Sequence, residues 1–271
     1  MNPPVILTIA GSDCSGGAGI QADIKTISAL KGYAASAITT VTAQNTLGVQ
    51  AVFPLSAHMV RMQIESVMND LQPTAIKIGM VHDADIVHAI AGCLRKYRPR
   101  FVVYDPVMIA TSGCRLMAEE TVQTIKDFLF PLCTLITPNL AEAGLLCAKP
   151  VTTVADMEQV AQELSQRYGT SFLIKGGHLD GDVMCDVLHC NLPSTENATP
   201  ILFTGSKILS RNLHGTGCTL SSAIATFLAY GNDLDEAVRR AKKYIGDAIT
   251  DGKGLHIGHG NGPLWHFPPL I

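Results

Sequence analysis

The sequence has no long hydrophobic run, no excess of basic charge and no closely paired cysteines. The first absence leaves no candidate for a membrane-spanning helix, which needs roughly 20 consecutive apolar residues. The N-terminal stretch MNPPVILTIAGSD carries no basic n-region and only a short apolar run, so it does not read as a secretory signal. A formal net charge of −3 argues against a nucleic-acid or anionic-membrane surface, either of which would require a basic excess. Eight cysteines are present, none in C-x-x-C spacing. Without a secretion signal most of them read as buried thiols acting as small hydrophobes, not as a disulfide scaffold. Linker-like segments and internal repeats are also missing, so residues 1–271 are expected to form one domain. The expectation is a soluble, cytoplasmic protein with neither nucleic acid nor membrane as partner.

What is present is a well-packed α/β pattern. Hydrophobic residues make up 47% and charged residues 16%, the balance of a chain with a large core. Apolar runs at 5–10, 34–44, 74–80, 101–107, 134–139 and 171–177 read as strands. Between them lie helical periodicities at 19–31, 57–70, 83–97 and near 153–168, with further helices at 217–230 and 233–250. Strands apolar on both faces that alternate with helices predict a doubly wound, mostly parallel sheet flanked by helices on both faces. The stretches 183–190 and 200–208 predict antiparallel edge strands. Ligands of such sheets bind beyond the carboxyl ends of the strands. Ser12, Asp13, Gln44, Asn45, Gly79, Met80, Asp105, Asn139, Glu142, Lys175 and the turn at 214–218 all fall there.

Two glycine patterns in 11–22 fail their context. Gly17-Ala-Gly19-Ile-Gln-Ala22 fits a dinucleotide fingerprint, yet no acid lies between Asp23 and Glu65 to hold a ribose hydroxyl. An NAD(P)-dependent oxidoreductase therefore rests on two glycines alone. Gly11 to Gly16 has P-loop spacing, but Gly17 stands where the lysine belongs. Other motifs admit two readings each. Asp105 could cap a following helix, and Asn139-x-x-Glu142 resembles a capping box. The same carboxylates would also suit hydrated Mg²⁺, which takes few protein oxygens and shares its shell with phosphate and water. Lys175, before two glycines, is either a snorkelling lysine or a phosphate ligand. Gly215-Thr216-Gly217-Cys218 opens an apolar helix; it is either a loop-to-helix turn with Thr216 as N-cap or an anion hole built of N–H groups.

Taken together, GSDCSGGAGIQAD (11–23), TAQNT (42–46), IKIGM (76–80), DPVM (105–108), TPNLAEA (137–143), IKGGH (174–178) and HGTGCTLSSAIA (214–225) resemble the ribokinase-like superfamily. Within it, the closer likeness is to the hydroxymethylpyrimidine/phosphomethylpyrimidine kinases of thiamine biosynthesis. The resemblance covers nearly the whole chain, with Cys14 standing where serine or threonine is common. It implies an ATP-dependent kinase acting on 4-amino-5-hydroxymethyl-2-methylpyrimidine and then on its monophosphate. It also implies Mg²⁺ and a homodimer. By the same likeness Gln44 recognises the substrate, and Gly11, Asp23, Met80 and Val107 line its pocket. Lys175 and Asn139 would meet the nucleotide, and Gly215, Thr216, Gly217 and Cys218 the transferred phosphate. Asp105 and Glu142 would serve the metal through water, with Cys218 and Lys175 as the catalytic pair.

A helix N-terminus lowers a thiol pKa from about 8.5, while a nearby phosphate raises it. Cys218 is accordingly expected to be a weak base. A pyridoxal kinase on the same scaffold is the nearest alternative, because both substrates are hydroxymethyl-bearing heterocycles. Gln44 favours the aminopyrimidine, since a side-chain amide offers a donor beside an acceptor. A metal-binding or regulatory tail built on His256, His259 and His266 is a third reading.

Overall fold

A computed structural model describes residues 2–108, 117–177, 179, 183–191 and 199–269. His178 of the IKGGH stretch lies outside the described residues. The chain runs β1 (Val5–Asp13), α1 (Gly19–Ala29), β2 (Tyr33–Asn45), β3 (Gly48–Pro54), α2 (Ala57–Asp70), β4 (Ala75–Ile78), α3 (Ala84–Tyr97) and β5 (Phe101–Tyr104). It continues through α4 (Glu119–Phe128), β6 (Leu135–Ile136), α5 (Leu140–Cys147), α6 (Val154–Tyr168) and β7 (Ser171–Ile174). The remaining elements are β8 (Val183–His189), β9 (Ile201–Ser206), α7 (Thr216–Ala229) and α8 (Leu234–Gly252).

The strands form one nine-stranded sheet in the order β3-β2-β1-β4-β5-β6-β7-β8-β9. Strands β2, β1, β4, β5, β6 and β7 are mutually parallel, and β3, β8 and β9 complete the edges in antiparallel pairing. This is the mostly parallel, doubly wound architecture expected. Alternation along each strand divides the core. Leu7, Ile9, Ile76, Ile78, Val102, Tyr104 and Phe172 face α2 to α6. Ile6, Ala75, Val103, Leu135 and Leu173 face α1, α7 and α8.

Strand β1 is central, with β2 on one side and β4 on the other. The order therefore reverses there, and a crevice opens past the strand ends, where open α/β sheets bind ligands. Helix α7 runs beneath that rim and is buried along nearly its whole length from Thr219 to Leu228. Ser221, Thr226 and Ser222 return hydroxyl bonds to α7's own carbonyls or to Asp23, so these polar side chains cost little there. Two local features differ from the sequence expectation. Strand β1 continues through a bulge at Ala10/Ser12 as far as Asp13, so Gly11 belongs to the strand. The edge strand β3 is exposed at every residue, which is why no apolar alternation announces it.

Candidate active site

The first loop is organised by Asp13. Its carboxylate accepts the Ser15 N–H and hydroxyl (2.9 and 2.7 Å), the Gly17 N–H (3.2 Å), the Ala18 N–H (2.9 Å) and His214 Nε2 (2.9 Å). Burial would raise the Asp13 pKa, but these bonds outweigh it and hold the carboxyl well below the usual carboxylate range. Against this loop packs the turn before α7. Gly215 is its N-cap, in the left-handed region at φ 87°, and a Cβ there would collide with the Gly17 carbonyl. Only glycine allows both the torsion and the approach. Thr216 is thus not the cap: its hydroxyl turns back to the Leu213 carbonyl at 2.7 Å. No side chain caps α7. The first intrahelical bond runs from Thr219 N–H to Gly215 O, so the N–H groups of Gly217 and Cys218 have no acceptor within the helix, the arrangement of helix N-termini that can take an anion.

Two predicted residues, Lys175 and Asp105, converge on that terminus. Lys175 Nζ meets Asp105 Oδ1 at 2.6 Å. A Cβ on Gly217 would stand 3.1 Å from Asp105 Oδ2 and 3.3 Å from Lys175 Nζ, so both groups lie against the first turn of α7. Thr137 donates a further bond to Asp105 Oδ1 at 3.1 Å. Burial alone would lower the Lys175 pKa. Asp105 and Glu142 more than compensate, and the ammonium is held above its ordinary value.

Asn139 and Glu142 form the capping box of α5, with Glu142 N–H on Asn139 Oδ1 and Asn139 N–H on Glu142 Oε2, both at 2.9 Å. The Met108 N–H reaches Glu142 Oε1 at 3.2 Å. Burial pushes the Glu142 carboxyl up to about 7; Lys175 opposes the shift and Asp105 adds to it.

On the other side of the crevice, Met80 Cε lies 3.2 Å from where a Gly11 Cβ would be, so these two predicted residues adjoin. Val107, in the turn after β5, is half-buried at the same rim. Gln44, half-buried at a bulge of β2, has its terminal amide 3.2 Å from His214 Nε2.

Asp23 is placed differently from the expectation that it lines the pocket. It is fully buried, its oxygens each 2.9 Å from Lys77 Nζ, with Thr8 and Ser222 hydroxyls at 2.5 and 2.7 Å. An acid in α1 that faces the sheet is satisfied from within, and it lies under the crevice as a counter-ion. The Cys218 thiol, too, is set by its buried surroundings. Burial raises its thiol to about 11; Lys77 and a Gly19 main-chain hydrogen bond oppose this, while Asp23 and Asp105 reinforce it. Desolvation therefore wins over the helix terminus.

The sequence reading gave no role to His214 or Lys77 and placed Asp13 only at the rim. A lysine in the otherwise apolar β4 was the available signal for Lys77, because a charge there requires a buried partner. Two of the tail histidines have separate partners. His256 Nδ1 lies 2.5 Å from Arg211, a cation, and His266 Nε2 lies 3.1 Å from the Thr219 hydroxyl. Among the described residues no group of three His, Cys, Asp or Glu side chains converges to hold a metal.

The sheet order and the rim of lysine, carboxylates and helix N-terminus define a ribokinase-like protein. A family model described as phosphomethylpyrimidine kinase matches residues 13–265, and the chain belongs to that family. The hydroxymethylpyrimidine/phosphomethylpyrimidine kinase of Rhizobium meliloti (strain 1021) is 46% identical over 264 residues, which cover 97% of each chain. The crystal structure of phosphomethylpyrimidine kinase from Clostridium difficile 630 aligns with a TM-score of 0.79 at 44% identity, covering 91% of this chain and 99% of that one. Pyridoxal kinase from Staphylococcus aureus, solved with AMP-PCP and pyridoxal, aligns with a TM-score of 0.85 at 29% identity, covering 98% and 94%.

Proposed function

We propose that the protein is an ATP-dependent kinase that phosphorylates 4-amino-5-hydroxymethyl-2-methylpyrimidine and then its monophosphate, in thiamine biosynthesis. The observation that carries this is the Lys175–Asp105 pair set against the uncapped N-terminus of the buried helix α7. Near-full-length identity of 46% to a kinase of that name supports the choice of substrate. The chain acts as one kinase domain spanning 1–271, a reading supported by its single sheet.

In phosphoryl transfer the protein contributes positioning and electrostatic stabilisation more than covalent chemistry. Lys175 and the N–H groups of Gly217 and Cys218 neutralise charge as it develops on the transferred group. Gly215 lets that turn close on the glycine loop, and Asn139 frames the nucleotide side through the cap of α5. Gly11, Met80 and Val107 border the ring, and Gln44 reads its edge. At a pKa of about 11, roughly one Cys218 thiol in 10⁴ is ionised at neutral pH. Cys218 therefore stands beside the acceptor hydroxyl as a neutral thiol that positions it, and the hydroxyl proton passes late to an oxygen of the transferred phosphoryl group.

The residues fit Mg²⁺. Two buried carboxylates, Asp105 and Glu142, lie near the one ammonium of Lys175, which Asp105 pairs directly, and oxygen donors of this kind suit a hydrated divalent cation. They would hold the ion through water, and the ion would supply charge neutralisation between phosphates.

Exposed Leu47, Val49, Val52 and Phe53 on and beside β3 support a homodimer through the β2–β3 hairpin. No described helix is long and apolar enough to cross a membrane, and the cytoplasm is the proposed compartment. ADP release measured with the hydroxymethylpyrimidine and with pyridoxal tests the substrate. Higher kcat/KM for the pyrimidine is expected, and faster turnover of pyridoxal would overturn the choice.

A further inference from the structure

His214 sits where the glycine loop, the recognition strand and the C-terminal segment meet. Its ring lies against Gly17, and the His214 main-chain N–H donates to the Gly262 carbonyl at 3.1 Å. The same C-terminal segment grips the residues just past Gln44. The N–H groups of His259 and Gly260 reach Thr46 Oγ1 at 3.1 Å, and Asn261 N–H reaches the Thr46 carbonyl at 2.9 Å. Both ends of the His214–Gln44 contact are thereby tied to one brace.

The contact itself can be resolved by counting protons. His214 Nε2 stands 2.9 Å from Asp13 Oδ2 and 3.2 Å from the Gln44 amide terminus. A ring nitrogen carries either a hydrogen or a lone pair, not both. Asp13 collects main-chain N–H groups and accepts only, so Nε2 carries the hydrogen. The Gln44 atom facing that N–H must then be the carbonyl oxygen. Its NH₂ group falls toward Thr42 Oγ1, 3.3 Å from the other amide atom, while Thr42 gives its own hydrogen to the Ser12 carbonyl at 2.9 Å. A carbonyl oxygen there shares the Nε2 hydrogen with Asp13, whereas the opposite orientation would set NH₂ against N–H, a clash that no shared hydrogen relieves. Network satisfaction decides such amides.

We infer that Asp13 and His214 fix the orientation of the Gln44 amide, so that it presents one acceptor lone pair beside one donor hydrogen in a set order. Such a side chain selects a heteroaromatic ring edge with an exocyclic amine next to a ring nitrogen. His214 is a positioning residue for specificity, acting through Gln44; this rests on the pyrimidine reading of the site.

A mutant cycle tests it, with KM for the hydroxymethylpyrimidine, KM for ATP and thermal unfolding measured for each protein. The variants are His214→Phe, His214→Gln, Gln44→Ala and the two His214 changes in the Gln44→Ala background. Loss of one orienting hydrogen bond predicts about a tenfold rise in pyrimidine KM for His214→Phe, with ATP KM within about twofold of wild type. His214→Gln, which ends in an N–H donor, should recover most of that rise. In the Gln44→Ala background, His214→Phe should add less than about twofold. Equal effects in both backgrounds, a matching rise in ATP KM, or no recovery by glutamine would overturn the inference. Should His214→Phe fail to fold, His214→Ala replaces it under the same criteria. Wild type assayed with pyridoxal in parallel separates the two ideas. A preference for pyridoxal defeats the substrate reading, while the coupling between 44 and 214, then read on pyridoxal KM, still upholds or overturns the orienting role.

Discussion

Replacing Asp23 by asparagine separates a pocket-lining carboxylate from a buried counter-ion. The change keeps the side-chain shape but removes the charge that Lys77 answers at 2.9 Å on both oxygens, with neither partner exposed. Taking away one half of a buried pair costs about 3–5 kcal/mol, because the other charge stays behind. An NH₂ group in place of one oxygen also opposes a hydroxyl donor from Thr8 or Ser222, worth about 1 kcal/mol more. The Lys77 ammonium, held above the ordinary lysine range in the intact pair, can shed its proton and so limits the total. A loss of about 4 kcal/mol is expected. For a chain of this size that lowers Tm by roughly 8–10 °C. Urea titration followed by circular dichroism gives the stability, and KM for the pyrimidine is taken at a temperature where the variant is folded. Adding Lys77→Met should recover part of the loss, since an apolar substitute leaves no charge to satisfy. A stability change under about 1 kcal/mol, combined with a large rise in KM, would refute the reasoning and return Asp23 to the pocket.

Other expectations are quickly checked. Lys175→Ala should lower kcat by about 10²–10³ at nearly unchanged pyrimidine KM, the loss typical of one transition-state charge donor; a smaller effect on kcat than on KM would count against it. Cys218→Ala should lower kcat steeply and leave ATP binding intact by calorimetry, whereas near-normal kcat would make the thiol a packing group. Gly215→Ala should cost at least about 2 kcal/mol and most of the activity, through the φ of 87° and the collision with Gly17; wild-type stability would contradict this. Two buried groups titrate with opposite sign in the metal-free protein. Burial depresses His266 from 6.5 to about 4, a stabilisation complete above pH 6.5 and lost as pH falls toward 4. Glu142, raised from 4.5 to about 7, contributes stability below pH 4.5 that is lost as pH rises through 7. Denaturant titrations should therefore show stability falling with pH over 4.5–7 in His266→Gln and rising with pH over 4–6.5 in Glu142→Gln; equal slopes in the two variants would be wrong for this structure.

Residues with a strong periodic signal were legible in the sequence. Helix α2 occupies 57–70 as expected, and α3, α6, α7 and α8 differ from expectation by no more than two residues at either end. Their apolar stripes and caps, such as Asp83 on the Ile86 N–H, are local properties. Strand β3 was illegible because an exposed hairpin strand need not alternate. Helix α5 was visible only through its capping box. Within the site, the sequence marked Lys175, Asp105 and the 215–218 turn, since each carries its chemistry at a strand or helix end. It could not reveal that Asp23 faces Lys77, 54 positions away, or that His214 spans 201 positions to Asp13. Those pairings exist only once the sheet order brings α1, β4 and the α7 turn together.

The setting of Cys218 joins these threads. A helix terminus and a nearby lysine are the ordinary means of making a thiolate, and both are present, yet burial between Asp23 and Asp105 leaves the thiol near 11. In a loose phosphoryl-transfer transition state little bonding to the nucleophile has formed, so its hydroxyl loses the proton late. A base ionised beforehand would gain little there and would add negative charge beside an incoming phosphate. On the proposed function, a protonated thiol at the third residue of α7 avoids that repulsion beside the helix N–H groups and the Asp105-paired Lys175. The same balance explains why Lys77 is fully paired with Asp23. An unpaired ammonium beneath Cys218 would pull the thiol toward thiolate, and the buried carboxylate opposes that pull.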